Sequence, residues 1–306
     1  MGYYNNGHNI NIYAYKRGHM KLDLHVHSTA SDGQYTPLEL VEKANKLGLE
    51  YLAITDHDTV NGIKDAKEIA DKYDVNFIPG IEISTMDTEE IHIVGLGIDE
   101  NNKRLRSSCE EFAKSRNSRG EEIRKYLYEL GINVDLEKVR KIAKGANLSR
   151  PHFATYLVSE GIVKNNQMAF DLYLDTPEFH RLTDRKLISP ADAIELIHQA
   201  NGKAILAHPG LLHMKFDEQE NLISKLKVKG LDGLEVYYSR YSKEKTAVYR
   251  YLAQKYNLLI SCASDYHGEK IKPDINLGIG WLRKPAVQRR LSPGKQIKLP
   301  VFSSLW

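Results

Sequence analysis

Apolar and polar residues alternate over several short stretches of this chain, and between those stretches apolar residues recur every three to four positions. The first pattern predicts strands and the second amphipathic helices. Leu22, Leu24 and Val26 alternate with Asp23, His25 and His27, a strand from which both imidazoles project to one face. Thr36-Pro37 opens a helix with Leu38, Val41, Ala44 and Leu47 at helical spacing, and Gly48 stops it. A second strand, Tyr51 to Thr55, runs straight into Asp56-His57-Asp58. A helix at about 62–73 leads to a third strand, Asn76 to Ile83, and a fourth follows at Glu90 to Gly95. Such alternation predicts a parallel α/β sheet or barrel.

The rhythm then changes. From about 101 to 190 only helical patterns occur, at 110–130, 136–144, 150–160 and 167–174. Afterwards a helix at 190–200 leads to the strand 203–207 and His208-Pro209-Gly210. A helix at 219–229 leads to the strand 233–237. A helix at 243–256 leads to the strand 258–263 and Ser264-Asp265-Tyr266-His267-Gly268. The expected division is a barrel of residues 20–100 and 189–283 with a helical insertion at 101–188. Tails are expected at 1–19 and 284–306. The first tail is rich in Asn, Tyr and Gly, and Gly18-His19-Met20 resembles a cloning scar before a natural start at Met20. The second carries several Lys and Arg, three Pro and no acidic residue.

Composition narrows the class. With 306 residues, 42% hydrophobic and 27% charged, the chain is that of a soluble globular protein with ample core. A net charge of +3 does not argue for a nucleic-acid partner without a clustered basic face. Cys109 and Cys262 lie far apart and suggest no disulfide framework, so a reducing, cytoplasmic setting is expected. No apolar run reaches membrane-spanning length, and the N-terminus lacks the apolar core of a secretory signal.

The candidate chemistry lies at the strand ends. His25, His27, His57, Glu82, His208, Asp265 and His267 fall at or just past the C-terminal end of a predicted strand, Asp32 follows in the first loop, and His92 lies inside the fourth strand. In parallel α/β folds that edge is where sites are assembled. Imidazoles and carboxylates without cysteine suit a divalent metal: manganese, iron or zinc. His198 lies in a helix, His8 and His19 in the tail, and His180 and His213 read as surface residues. No Ser-His-Asp triad, Gly-rich phosphate loop or aromatic stacking stripe competes for the chemistry.

These residues resemble a known family. The motifs are His25-x-His27 with Ser31-Asp32-Gly33, Thr55-Asp56-His57-Asp58, Pro79-Gly80-Ile81-Glu82, His92, Ala207-His208-Pro209-Gly210 and Ser264-Asp265-Tyr266-His267-Gly268. Together, from residue 20 to about 280, they resemble the polymerase and histidinol phosphatase (PHP) family. The resemblance implies a distorted (β/α)7 barrel, the PHP fold, holding three divalent metal ions, with Mn2+ first and Fe or Zn as alternatives. It assigns one metal to His25, His27, Glu82 and Asp265. A second shares Glu82 and adds His92 and His208, and a third takes Asp32, His57 and His267. Catalytic roles in proton handling fall to Asp265 or His208. Asp56 and Asp58 either orient His57 or cap the next helix.

Within the family, the insertion with Leu148-Ser149-Arg150-Pro151-His152-Phe153-Ala154 resembles the branch that hydrolyses nucleoside 3′,5′-bisphosphates, whose members also trim RNA from the 5′ end. It implies a small helical lid domain with Ser149, Arg150 and His152 gripping a phosphate. Ser149 before Arg150-Pro151 also reads physically as a helix N-cap and first turn, where free N–H groups favour an anion. The stretch 177–188 departs from the Lys-Pro-Ala-Tyr-Val-Pro-like sequence of close relatives. The implied function is hydrolysis of the 3′-phosphate of a nucleoside 3′,5′-bisphosphate, and of short RNA from its 5′ end, by metal-bound hydroxide. The implied partners are a small nucleotide and short RNA; no membrane is implied, and no protein partner can be inferred. The rivals are a histidinol-phosphate or protein tyrosine phosphatase, a processive 5′-to-3′ exonuclease using the basic tail, and an inactive PHP scaffold.

Overall fold

A computed structural model describes residues 19–183, 187–278 and 280–283. Of the expected tails at 1–19 and 284–306, residues 1–18 and 284–306 lie outside the described residues, and His19 instead opens the first strand. The strands are β1 His19–Asp23, β2 Tyr51–Ile54, β3 Asn76–Met86, β4 Glu90–Leu96, β5 Lys203–Leu206, β6 Gly233–Tyr238, β7 Leu259–Ala263 and β8 Gly280–Arg283. They form one sheet in the order β7-β6-β5-β4-β3-β2-β1-β8. The first seven strands curl into a nearly closed barrel. The segment after β1 completes it with backbone bonds from Leu24 N–H to the Cys262 carbonyl (3.0 Å), Asp265 N–H to His25 (2.9 Å) and His27 N–H to Tyr266 (2.9 Å). The first part of β1 pairs antiparallel with β8 instead.

The expectation of a parallel sheet or barrel fails at β8 and, within the barrel, at β4. β4 runs antiparallel to both β3 and β5. Only residues 87–89 join β3 to β4. A parallel crossover needs a dozen residues or more, so a hairpin is the only connection that fits. The reversal puts the start of β4, with Glu90 and His92, at the same rim as the C-terminal ends of the other strands.

Period-two burial then sorts the strands into two faces. Leu52, Ile54, Ile81, Ile83, Ile91, Ile93, Leu206, Leu234 and Val236 face outward into the main core under the helices. Leu22, Leu24, Ala53, Ile78, Val94, Leu96, Ile205, Ala207 and Cys262 form a separate apolar cluster inside the barrel. Continuing that inner face toward the rim in steps of two reaches Glu82 on β3 and His92 on β4. Past β5, His208 is out of step with Ile205 and Ala207 and has a positive φ of 28°. In β1 the expected unbroken alternation does not hold. The chain bends at Leu24, Leu22 and Leu24 face the lumen, and Val26 faces the outer core.

Around the barrel lie α1 Pro37–Lys46, α2 Ile63–Ala70, α8 Pro190–Gln199, α9 Phe216–Val228 and α10 Lys243–Lys255. α1 starts where Thr36-Pro37 predicts, with Thr36 and Glu39 capping each other's backbone N–H groups. Between β4 and α8 the chain is helical: α3 Lys103–Glu129, α4 Leu136–Ala143, α5 Arg150–Ser159, α6 Asn166–Ala169, a π-helical turn at Phe170–Leu174, and α7 Pro177–Leu182. α3, expected from 110, begins at Lys103 because the Asn102 side chain caps Leu105 N–H. At 27 residues it is about 40 Å long. Its Leu105 and Phe112 pack into the barrel's outer core, whereas Ile123, Tyr126 and Leu127 belong to a second core with Val139, Phe153, Leu157, Leu174 and Phe179. Buried Arg116 sits between the two. Among the described residues no helix is long and apolar enough to cross a membrane.

Candidate metal centre

The rim residues are positioned by backbone that only a few sequences allow. The loop after His27 folds around the Asp56 carboxylate, which accepts from Ser28 N–H (2.7 Å), Ser28 Oγ (2.6 Å) and Ser31 Oγ (2.6 Å). At Gly33 a Cβ would lie 2.1 Å from the His27 carbonyl oxygen, so any side chain there would displace Asp32. Asp58 accepts from Ser84 N–H (2.8 Å) and pairs with Arg116 of α3 (2.7 Å). The N-cap of α2 is Gly62, with no side-chain cap bond, and the two aspartates are engaged elsewhere. One ties down the Asp32 loop, and the other ties the long helix to the barrel. Asp58, His208 and Asp265 all have positive φ (56°, 28° and 58°), a strained conformation that clusters at functional sites.

Glu82 is the focus. Its Oε1 lies 2.9 Å from His92 Nδ1 and 3.1 Å from His208 Nε2. Its Oε2 lies 3.2 Å from both His25 Nε2 and His27 Nε2 and 3.1 Å from His57 Nδ1. Asp265 Oδ1 is 3.4 Å from His27 Nε2 and 3.9 Å from His25 Nε2. Asp32 faces His267 Nε2 at 3.4 Å, His27 Nδ1 at 3.7 Å and His57 Nε2 at 3.9 Å. All nine residues named from the sequence as ligands thus meet in one cluster. Three tight groups of donors stand out: His27, Asp32, His57 and His267; His25, His27 and Glu82; and His57, Glu82 and His92. His57 bridges, one nitrogen toward Asp32 and the other toward Glu82.

Does this cluster fit a metal? The side-chain atoms His27 Nδ1, His57 Nδ1 and Glu82 Oε2 are buried and have no hydrogen-bond partner among the described residues. His25 and His27 bring their Nε2 atoms within 3.0 Å of each other. Buried polar atoms left this way are costly, and a cation between them removes the cost. The electrostatics agree. Burial works against a charged His25, yet Glu82 and Glu235 outweigh it and hold its pKa well above the ordinary value. Likewise His27 is raised to about 9 and His92 to about 10 against burial, chiefly by their carboxylate neighbours. Burial wins at His57 and His267, which are pushed down. Glu82 would be pushed up by burial, but the surrounding imidazoles hold it well below the carboxylate range. Positive charge is favoured around Glu82, and the nitrogen and oxygen donors suit Mn, Fe or Zn.

Three supporting residues escaped the sequence reading. Glu235, fully buried, accepts from His25 Nδ1 (2.6 Å) and from His208 N–H (2.6 Å), which turns His25 Nε2 toward Glu82. Its signal was a lone charge inside the apolar strand β6. Tyr238 and Lys272 both reach Asp265 Oδ2, each at 2.7 Å. His267 Nδ1 is held by the Asp265 carbonyl at 2.9 Å.

Beside the cluster opens a cavity of about 260 Å³, lined by Asp32, His57, Glu82, His92, His208, Asp265 and His267 and by helical-segment residues including Arg116, Ser149, Arg150 and Phe170. Ser149 and Arg150 therefore lie on the same cavity as the candidate ligands. Arg150 also pairs with Asp175 at 2.7 Å, a side chain the sequence reading did not single out. His152 is not among the lining residues. It is buried behind them, its Nδ1 accepting from Ser149 N–H (3.2 Å) at the start of α5.

Comparison with known proteins bears on the same residues. A family model described as PHP domain matches residues 23–286. A 5′-3′ exoribonuclease of Haemophilus influenzae is 36% identical over 248 residues, 81% of this chain and 90% of that protein. A phosphoribosyl 1,2-cyclic phosphate 1,2-diphosphodiesterase of Eggerthella lenta is 32% identical, over 81% of this chain and 94% of its own length. A 3′,5′-nucleoside bisphosphate phosphatase of Chromobacterium violaceum is also 32% identical, over 80% and 87%. A solved structure of an amidohydrolase from Chromobacterium violaceum, with bound sulfate and no metal, is 30% identical with a TM-score of 0.77, covering 87% of this chain and 92% of that one.

Proposed function

This chain belongs to the PHP family, it is a phosphoesterase, and we propose that it removes the 3′-phosphate of nucleoside 3′,5′-bisphosphates. The observation that carries the reading is Glu82, whose two oxygens each face a separate set of imidazoles beside a cavity that also bears Ser149 and Arg150. On this reading His25, His27, Glu82 and Asp265 would hold one divalent ion; Glu82, His92 and His208 a second; and Asp32, His57 and His267 a third. Bound ions, manganese first among the candidates, would supply an activated water and neutralise phosphoryl oxygens.

The chain's own residues do the rest. Glu235 keeps the His25 ring turned inward. Tyr238 and Lys272 occupy one oxygen of Asp265 and leave the other for the cluster. The second phosphate of the substrate would lie at the start of α5, where the Arg150 guanidinium lines the cavity. Engaging it requires Arg150 to exchange Asp175 for phosphate, a trade of one carboxylate for a more highly charged partner. His208 or Asp265, both on the cavity wall, would take a proton from the attacking water. A reducing, cytoplasmic setting suits the two free cysteines.

A second reading, trimming of short RNA from its 5′ end, is favoured by the similarity to the exoribonuclease. A panel of adenosine 3′,5′-bisphosphate, a cyclic phosphodiester, short 5′-phosphorylated RNA, histidinol phosphate and a phosphotyrosine peptide separates these. The bisphosphate is expected to give the highest kcat/KM. Preference for RNA would move the assignment to the second reading, and turnover confined to the last two compounds would overturn both.

A further inference from the structure

The cations lining the cavity have two origins. Arg116, Arg119 and Arg150 come from the helical segment, and each is already engaged, by Asp58, the Thr183 carbonyl and Asp175 respectively. Lys272 is the one lining cation, among the described residues, that comes from the barrel's own loop after β7. That loop is held in many places. Gly268 turns it with φ 101°, and a Cβ there would lie 2.3 Å from the Gln34 side chain. The Ile271 and Lys272 N–H groups both donate to the Gly268 carbonyl, at 3.0 and 2.9 Å. Glu269 accepts from the Tyr35 and Tyr266 hydroxyls (2.7 and 2.6 Å) and from Lys43 (3.1 Å). Lys270 N–H donates to Gln34 at 2.8 Å, and buried Ile275 fastens the far end. The result is an ammonium delivered to the cavity by rigid backbone.

There it bonds Asp265 Oδ2, an oxygen that the Tyr238 hydroxyl already satisfies. The Lys272 side chain is 27% exposed and its ammonium has three donors, so protons remain for a ligand. We propose that Lys272 binds a non-bridging oxygen of the substrate's phosphoryl group at the metal centre, keeping one proton on Asp265. This inference rests on the phosphoesterase reading above. A phosphoryl group in transfer spreads its charge over three equatorial oxygens, and metal ions on one side leave an oxygen open to a further cation. A point charge on a flexible stem can meet that oxygen without a fixed fork geometry.

The test compares wild type, Lys272→Met and Lys272→Arg, each loaded with Mn2+, by calorimetric titration with inorganic phosphate, metal content and steady-state kinetics. Lys272→Met is expected to weaken phosphate binding about 10- to 100-fold, the worth of one charge-assisted hydrogen bond, and to raise KM while metal content holds. Lys272→Arg should recover most of the affinity. Wild-type phosphate affinity in an active Lys272→Met enzyme overturns this inference alone. Loss of metal from that variant overturns it too, by showing that Lys272 acts through Asp265. A wild type that turns over no phosphate ester brings down the reading of the site itself.

Discussion

Buried carboxylates occur in two kinds of place in this protein, and they are treated differently. Asp23, at the end of β1, accepts backbone N–H groups from Ser264 (3.0 Å) and Gly278 (2.8 Å), and Asp56 accepts three bonds from the Ser28–Ser31 loop. Burial still pushes Asp23 up to about 6 against those bonds. Both are supplied by the chain itself with donors of good geometry. Glu82, equally buried, has only imidazoles around it, and one of its oxygens has no aligned donor. A carboxylate that its own chain satisfies is scaffold. One surrounded by potential ligands and left unsatisfied is built for something the chain does not contain.

The contrast can be broken most decisively by removing metal. Exhaustive treatment with EDTA is expected to take phosphatase activity to background and Mn2+ to restore it; full activity in metal-stripped protein would end the metal reading. Next, Glu82→Gln and Asp56→Asn should fail in opposite ways. Glu82→Gln should lose about 10³-fold or more in kcat and much of its metal while remaining folded. Asp56→Asn should lower unfolding free energy by about 2–3 kcal/mol, seen by denaturant titration, because three buried hydrogen bonds lose their charge. Equal behaviour of the two variants would erase the distinction.

Smaller effects sharpen it. Glu235 shares features with both classes, since the chain satisfies it while it orients a candidate ligand. Glu235→Gln is expected to cost about 10- to 100-fold in metal affinity or activity, read by metal titration, with little change in stability. At the opposite end of the barrel, Asp232 accepts from Lys203 (2.8 Å), His198 (2.7 Å) and Ala204 N–H (2.9 Å). Burial would raise its pKa, but these partners outweigh it and hold the carboxyl below its usual range. The folded state therefore binds fewer protons there than the unfolded one. Its contribution is present above the ordinary carboxylate range and is lost as pH falls below it. Asp232→Asn should cost about 1 kcal/mol near neutrality, with no loss of activity, and the gap to wild type should close in acid.

Much of this site was legible in the sequence because histidines and carboxylates at the ends of apolar strands have few scaffold uses. Glu82 and His92 could be placed on the inner face by counting in twos from Ile78 and back from Val94. The antiparallel β4 was legible as well, in the gap of three residues before it, but the alternation of strands and helices elsewhere masked that sign. Glu235 stood out only as a charge in an apolar strand. Other features depend on partners far along the chain. The bend at Leu24 follows from bonds to residues near 262–266, the role of Asp58 from Arg116, and that of Lys272 from a turn fixed by Gln34. Nor could spacing show Asp175 beside Arg150, or α3 beginning at Lys103, whose first turns carry Lys, Arg and Ser with only Leu105 as an apolar mark.

The most direct measurement is an anomalous difference map from crystals soaked in Mn2+. Peaks are expected about 2–2.5 Å from each of the two Glu82 carboxylate oxygens, one toward His92 and His208 and the other toward His25 and His27. A map in which manganese binds elsewhere, or in which Glu82 touches no peak, would contradict a bridging role for this residue and the metal centre built on it.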